Sequence, residues 1–303
     1  MKSPALMKKI LLMIAVFSFG LHISALLLTA HQRIRFFEGY PGSHYPFYSK
    51  NMAIEQKALF ANFFSTNQYI HKAEILFIGN SRMQTAFIPS MLDNFFSVLN
   101  MNYYMLACGH NEKFLFYISL IEHLDLRDKT IVVNIESFFN STMSSPAKEA
   151  TTWPVPFVWL NVTAQYLYDA YISFFYHSPP LYRSIERGTW QLESTVRIDK
   201  VASHATYKKH GVLKPITNKN IGAFIKFSRK RNLNIIFVFV PTIETDISIE
   251  NAKSISNDYD IPLILVDTKG FATYDHSHLN RSTAINFSTQ FFKKISPLLK
   301  KAG

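Results

Sequence analysis

Glu74-Ile75-Leu76-Phe77-Ile78-Gly79-Asn80-Ser81 is the stretch that decides the fold of this chain. Four consecutive apolar residues, Ile75 to Ile78, leave no polar face, so the run predicts a strand buried on both sides. Gly79 ends it, and Ser81 follows two residues later on a turn leaving the strand. A serine hydroxyl is a poor nucleophile until a neighbouring imidazole removes its proton. A turn that lifts Oγ above a sheet also leaves the serine's own N–H for an oxyanion. Taken alone, Gly-Asn-Ser after a strand is most often an ordinary turn.

Working outward, the same pattern recurs. Further strands are expected at 102–107, stopped by Cys108-Gly109, at 130–135, at 234–240, closed by Pro241, and at 261–266. Helices are expected at 51–64 (Met52, Leu59, Phe60 and Phe63 on one face), 89–96 with Pro89 in the first turn, 111–123 capped by Asn111, 221–231, 246–257 and 282–299. Alternating strands and helices predict an α/β fold, a flavodoxin-like three-layer sandwich around a five-stranded, mostly parallel sheet. Ligands of such sheets bind beyond the carboxyl ends of the strands, so Ser81, Gly109 and Ser137 are expected on one rim. The stretch from about 137 to 211 interrupts the alternation. It holds Trp153, Trp159 and Trp190 and the series Tyr166, Tyr168, Tyr171, Phe174, Phe175, Tyr176. It reads either as a helical subdomain with those rings as its core, or as an aromatic wall for sugar rings or a membrane interface.

Far downstream stands Tyr274-Asp275-His276-Ser277-His278-Leu279-Asn280. A carboxylate three residues before a histidine in a tight loop can accept from imidazole Nδ1, fixing the tautomer that leaves Nε2 for a serine. His276 is a rival base, but an adjacent residue turns away from its carboxylate more easily. Asp275, His276 and His278 are also zinc ligand types, although no further Cys, His or carboxylate cluster lies near them in the sequence; no metal and no cofactor are expected. The remaining alternative is a polar loop that caps the last helix. Arg82, beside the serine, is a candidate contact for an anionic substrate.

The chain has 303 residues, 48% hydrophobic and 15% aromatic, and a formal net charge of +11. That surplus suits anionic partners or simply solubility; the basic residues are scattered, no nucleic-acid motif is present, and no nucleic-acid partner is expected. One cysteine, Cys108, excludes an intrachain disulfide. Residues 10–30 are almost continuously apolar, interrupted by Ser18, Gly20, His22, Ser24 and Thr29, and follow Lys2, Lys8 and Lys9. About twenty such residues cross a hydrocarbon core, longer than a usual signal-peptide core, so a transmembrane anchor is expected there, with Leu28-Thr29-Ala30 as a poor cleavage site for the alternative. Arg33 and Arg35 follow the span, yet the N-terminal lysines favour residues 1–9 in the cytoplasm. The resulting organisation is a linker at 31–50 and a main α/β domain at 51–303 facing the periplasm or exterior.

With these residues on the page, the chain resembles the SGNH/GDSL hydrolases. Gly79-Asn80-Ser81 resembles their first block, Gly109 their second, and Asp275-His276-Ser277-His278 their last, over about 74–299 with the insertion outside it. With its apolar N-terminus it looks like the membrane-anchored branch that includes the D-alanyl transfer protein of teichoic acids and the alginate-type O-acetyltransferases. The resemblance implies Ser81 as nucleophile, His278 as base and Asp275 as its orienting acid, with the N–H groups of Ser81 and Gly109 in the oxyanion hole. Two departures stand out. Asn80 replaces the usual aspartate, and Asn134-Ile135-Glu136-Ser137 replaces the usual G-x-N-D block, whose asparagine is the third oxyanion donor. Asn134, Ser137 and Asn140 are the candidates for that role.

The expectation is therefore a membrane-anchored acyl, most plausibly acetyl, transferase or esterase on an envelope polysaccharide, served by a separate multi-span membrane protein that supplies the acyl donor. A catalytically silent assembly or glycan-binding protein is the alternative from another class, and a lipase or thioesterase the third.

Overall fold

A strand with no polar side chain has to be covered on both faces, and the central sheet meets that demand. In a computed structural model the described residues are 13, 16, 17, 20, 44–47, 53–109, 112–140, 142–176, 181–191, 200–205, 218–242 and 247–299. Their strands are β1 (His44–Phe47), β2 (Ile75–Ile78), β3 (Tyr103–Met105), β4 (Thr130–Asn134), β5 (Leu181–Ser184), β6 (Trp190–Gln191), β7 (Ser203–His204), β8 (Asn234–Val238), β9 (Leu263–Ile264) and β10 (Ala272–Thr273). The central sheet has the order β3-β2-β4-β8-β9, and every pair in it is parallel. Counting those five strands along the chain, the order is 2-1-3-4-5, so the direction of winding reverses between β2 and β4. Ligands of doubly wound sheets bind at such a reversal, beyond the carboxyl ends of its two strands, here β2 and β4. Ser81 follows one of these strands and Glu136 the other.

Within each apolar run, alternate residues serve alternate layers. Leu76, Ile78, Ile131, Val133, Ile235 and Phe237 pack into one core with helices Phe114–His123, Asn218–Lys230 and Ile249–Tyr259. Ile75, Phe77, Val132, Ile236 and Val238 pack into the other, against helices Pro89–Val98 and Arg281–Leu299. Phe77 is fully buried, in edge contact with Phe87 and Phe96. Burying a side chain of that size contributes about 1.5–3 kcal/mol.

Several local expectations are corrected. The helix expected at 51–64 ends at Phe60. The chain turns through positive φ at Asn62 and Ser65, and a second short helix, Asn67–Lys72, leads into β2. Helix Phe114–His123 begins after Lys113; Asn111, its expected cap, lies outside the described residues. Part of the expected linker is a strand: β1 pairs antiparallel with β5, His44 against Ser184 and Phe47 against Leu181. No local pattern announces this, because the partner comes from the other end of the 137–211 insertion.

That insertion belongs to the sheet rather than standing apart. Met105 N–H on edge strand β3 donates to Arg187 O at 2.8 Å, which covers that edge. Gly188 makes the approach possible: its φ is +68°, and a Cβ there would come within 2.3 Å of Met105 O. The three tryptophans of the insertion differ in burial. Trp190 is buried, whereas Trp153 and Trp159 are exposed. Apart from Met13, Val16, Phe17 and Gly20, the anchor expected at 10–30 lies outside the described residues, as do residues 1–9. Among the described residues no helix is long and apolar enough to cross a membrane.

Candidate active site

The turn after β2 is built from backbone geometry upward. Gly79 has φ +149°, and a Cβ on it would meet Asn134 Cβ at 3.0 Å, so glycine lets the turn that carries Ser81 pass close against β4. Its carbonyl accepts from the buried Tyr117 hydroxyl and, at 3.2 Å, from the Cys108 N–H. Asn80 then caps the short helix Ser81–Thr85, its Oδ1 accepting from the Arg82 N–H at 3.1 Å. Ser81 occupies the first helical position, and no acceptor for its N–H is found among the described residues.

The histidine arrives on a hairpin-like loop. Thr273 bridges Leu279, and the Tyr274 N–H donates to His278 O at 3.0 Å. Inside the loop, Asp275 Oδ1 accepts from the N–H groups of Ser277, at 3.0 Å, and His278, at 2.8 Å. His276 takes the left-handed conformation, φ +71°, that closes the turn. Asp275 Oδ2 lies 2.7 Å from His278 Nδ1, and His278 Nε2 lies 2.8 Å from Ser81 Oγ. Since a carboxylate can only accept, Nδ1–H donates to Asp275, and Nε2 is left to accept from the Ser81 hydroxyl. The Tyr274 ring stacks on the imidazole, centroids 5.7 Å apart. Burial pushes the Asp275 carboxyl up, but the hydrogen bond and charge of His278 and the two backbone N–H groups pull harder, holding it below its ordinary value.

Ser81, Asp275 and His278 are thus brought together, from positions almost two hundred residues apart. His276 is exposed and touches neither partner. Among the described residues no group of three His, Cys, Asp or Glu is placed to hold a metal ion.

The other site candidates fare differently. Gly109 is a correction: its N–H donates to Glu55 Oε2 at 2.9 Å, so it is not offered to an oxyanion. Glu55 is itself fixed, Oε1 accepting from Arg183 Nη1 and from Trp190 Nε1, both at 2.7 Å. Asn134 is buried beneath the turn, donating to Asn80 Oδ1 at 3.4 Å and accepting from the Val240 N–H at 3.2 Å. Ser137 Oγ accepts from Asn80 Nδ2 at 2.9 Å. Asn140 folds back on Thr142, its Oδ1 accepting from that residue's N–H and hydroxyl. Arg82 is also a correction. It is not a free cation for substrate, because its Nη1 pairs with Glu136 Oε2 at 2.7 Å and its Nε donates to Ser277 Oγ at 3.2 Å.

Sequence reasoning passed over Glu136. Its Oε1 accepts from Asn80 Nδ2 at 2.8 Å and its side chain is fully buried. This accounts for Asn80: an aspartate would face the Glu136 carboxylate with no proton to donate. The signal was present, since one acid inside Ile135-Glu136-Ser137-Phe138-Phe139 demands a buried partner. No protein-family model, no curated protein and no solved structure matches the chain.

Proposed function

We propose that the chain is a serine-dependent acyltransferase or esterase of SGNH type, anchored through 10–30 with its domain in the periplasm, that moves an acyl group, most plausibly acetyl, on an envelope polysaccharide. The observation that carries this reading is the Ser81–His278–Asp275 chain of hydrogen bonds, 2.8 and 2.7 Å long, at the winding reversal of the sheet. The 2-1-3-4-5 strand order and the two helical layers support the flavodoxin-like, three-layer form of that family.

The chemistry follows from the tautomer. Ser81 Oγ attacks the acyl carbonyl as its proton passes to His278 Nε2, and the imidazolium is stabilised by ionised Asp275. The oxyanion accepts from the Ser81 N–H. Collapse expels the donor alcohol or thiol with the proton from Nε2, leaving an ester on Ser81. An acceptor hydroxyl or water then gives its proton to Nε2, attacks that ester and regenerates the serine. A membrane anchor favours transfer from a donor delivered at the bilayer by a multi-span partner over release to water. No step in this sequence calls for a cofactor.

Incubation of the protein with an activated acetyl ester, followed by intact-mass measurement, tests the mechanism. A single acetyl adduct absent from Ser81→Ala is expected; no adduct on the wild type, or an equal adduct on the variant, removes it.

A second reading, a catalytically silent glycan-binding or assembly protein, is favoured by one observation: the Gly109 N–H is engaged by Glu55 and so is not offered to an oxyanion. On that reading Ser81→Ala and His278→Ala keep the cellular phenotype. A lipase or thioesterase would instead show turnover of long-chain rather than acetyl esters.

A further inference from the structure

We propose that one face of helix Val155–Tyr176 rests in the headgroup region of an anionic lipid bilayer and so holds the catalytic rim at the membrane surface. This rests on the reading of 10–30 as an anchor.

Trp153, Val155, Phe157, Trp159, Leu160 and Tyr168 are between 41% and 63% exposed, half of the twelve exposed large hydrophobic residues among those described. Such a cluster is uncommon on a soluble surface and marks an interaction site. Residues 153–168 contain no charged side chain. Two of their polar side chains are engaged locally, Asn161 Oδ1 accepting from Lys57 Nζ at 2.7 Å and Thr163 Oγ1 donating to Trp159 O at 3.0 Å. A sugar-binding face needs polar side chains turned outward to satisfy hydroxyls. This one presents rings with a single polar tip and aliphatic chains, the composition that settles at a membrane interface. The helix has 22 residues, yet it is not apolar enough to cross a membrane. Its inner side, with Val158 and Val162 fully buried, is occupied by protein. It therefore lies along an interface rather than through it.

Two connections choose the bilayer as occupant. The 10–30 run is separated from β1 by residues 31–43, at most about 45 Å of chain, and β1 pairs with β5, whose Leu181 shares a cluster with Val158 and Val162. The first described strand after the run is thus joined, through β5, to the cluster under this helix. The net charge of +11 favours anionic lipid. On the other side, helix Ala53–Phe60 joins the aromatic helix to the rim: Ile54 and Ala58 lie in the same cluster, while Glu55 holds the Gly109 N–H.

The test is tryptophan quenching on the full chain in phosphatidylcholine–phosphatidylglycerol vesicles, with and without bromine on the acyl chains. Trp159 lies on the helix and Trp153 two residues before its start, both in the exposed cluster, and buried Trp190 supplies the unquenched remainder. Bromine high on the chain should remove roughly half of the emission and deep bromine less, as expected for a face set about 5–10 Å into the interface. Phe157→Glu with Leu160→Glu, both exposed and so tolerated by the fold, should abolish quenching while the protein still sediments with vesicles; Val98→Glu, on an unrelated exposed site, should change nothing. Co-sedimentation without quenching in the wild type overturns the proposal and leaves the anchor standing. Protein that stays in the supernatant, unquenched, overturns both. Protection of the indoles from iodide by a soluble polysaccharide, or a lipid-free dimer lost in the double variant, with no bromolipid quenching, assigns the face to glycan or to a second copy and also overturns it.

Discussion

Arg82 Nη1 lies 2.7 Å from Glu136 Oε2, with the guanidinium side chain 14% exposed and the carboxylate fully buried. The same guanidinium donates to Ser277 Oγ, one residue before His278. One side chain therefore joins the turn that carries Ser81, the end of β4 and the loop that carries His278. Removing it leaves the buried Glu136 carboxyl without its cation, with the Asn80 amide still donating to Oε1. Arg82→Ala is expected to destabilise the fold by about 3–5 kcal/mol, and Arg82→Lys by less, because charge is kept and the fork is lost. Denaturant unfolding of Arg82→Ala, Glu136→Gln and the pair measures this. A coupling near zero between the two would show that the contact does not act as a unit.

Asp275→Asn removes the acceptor that selects the Nδ1–H tautomer of His278, while the loop keeps acceptors for its backbone N–H groups. The expected result is a fall in the acylation rate on the order of 10³–10⁴-fold, with little change in melting temperature because the Asp275 side chain is 41% exposed. A large loss of stability with an unchanged rate per folded molecule would make the residue a loop staple instead.

The depressed pKa of Asp275 carries a signed pH dependence. The fold favours the carboxylate over the acid, so its stabilisation is complete above the ordinary value of 3.8 and is lost as pH falls through the lower folded value. The gap between wild type and Asp275→Asn, small because the side chain is 41% exposed, should close as pH falls below 3.8 and through the lower folded value. A gap that widens on acidification would contradict the assignment of the pull to His278 and the two N–H groups.

Gly188→Ala should lower stability by more than about 1 kcal/mol, since φ is +68° and the added Cβ would press on Met105 O and the Tyr104 ring. Thermal unfolding reads the loss. Because Gln84, in the helix that begins at Ser81, donates to Gly188 O at 2.9 Å, the acylation rate should fall with it. An unaffected melting temperature would mean that the 181–191 hairpin docks on the sheet loosely.

Much of this was legible in local patterns. The four-residue apolar run at 75–78 marked β2, since continuous burial excludes a one-sided strand, and Pro89 marked the first turn of its helix. The three-residue spacing of Asp275 and His278 announced a carboxylate–imidazole contact, because a tight turn brings such a pair within reach. The oxyanion side was not legible. Which N–H is free depends on Glu55, whose partners Arg183 and Trp190 come from beyond the aromatic helix.

Sequence by itself determined the α/β class, the five apolar strands and the pairing of Asp275 with His278, because each is written in a local period or a short spacing. Tertiary structure alone decided the strand order, the pairing of β1 with β5, the engagement of Gly109, and the conversion of Arg82 from a substrate contact into a brace on Glu136. Those outcomes depend on hydrogen bonds and ion pairs between segments far apart in the chain. Their partners are chosen by which buried polar group would otherwise be left unsatisfied, and no local pattern encodes that choice.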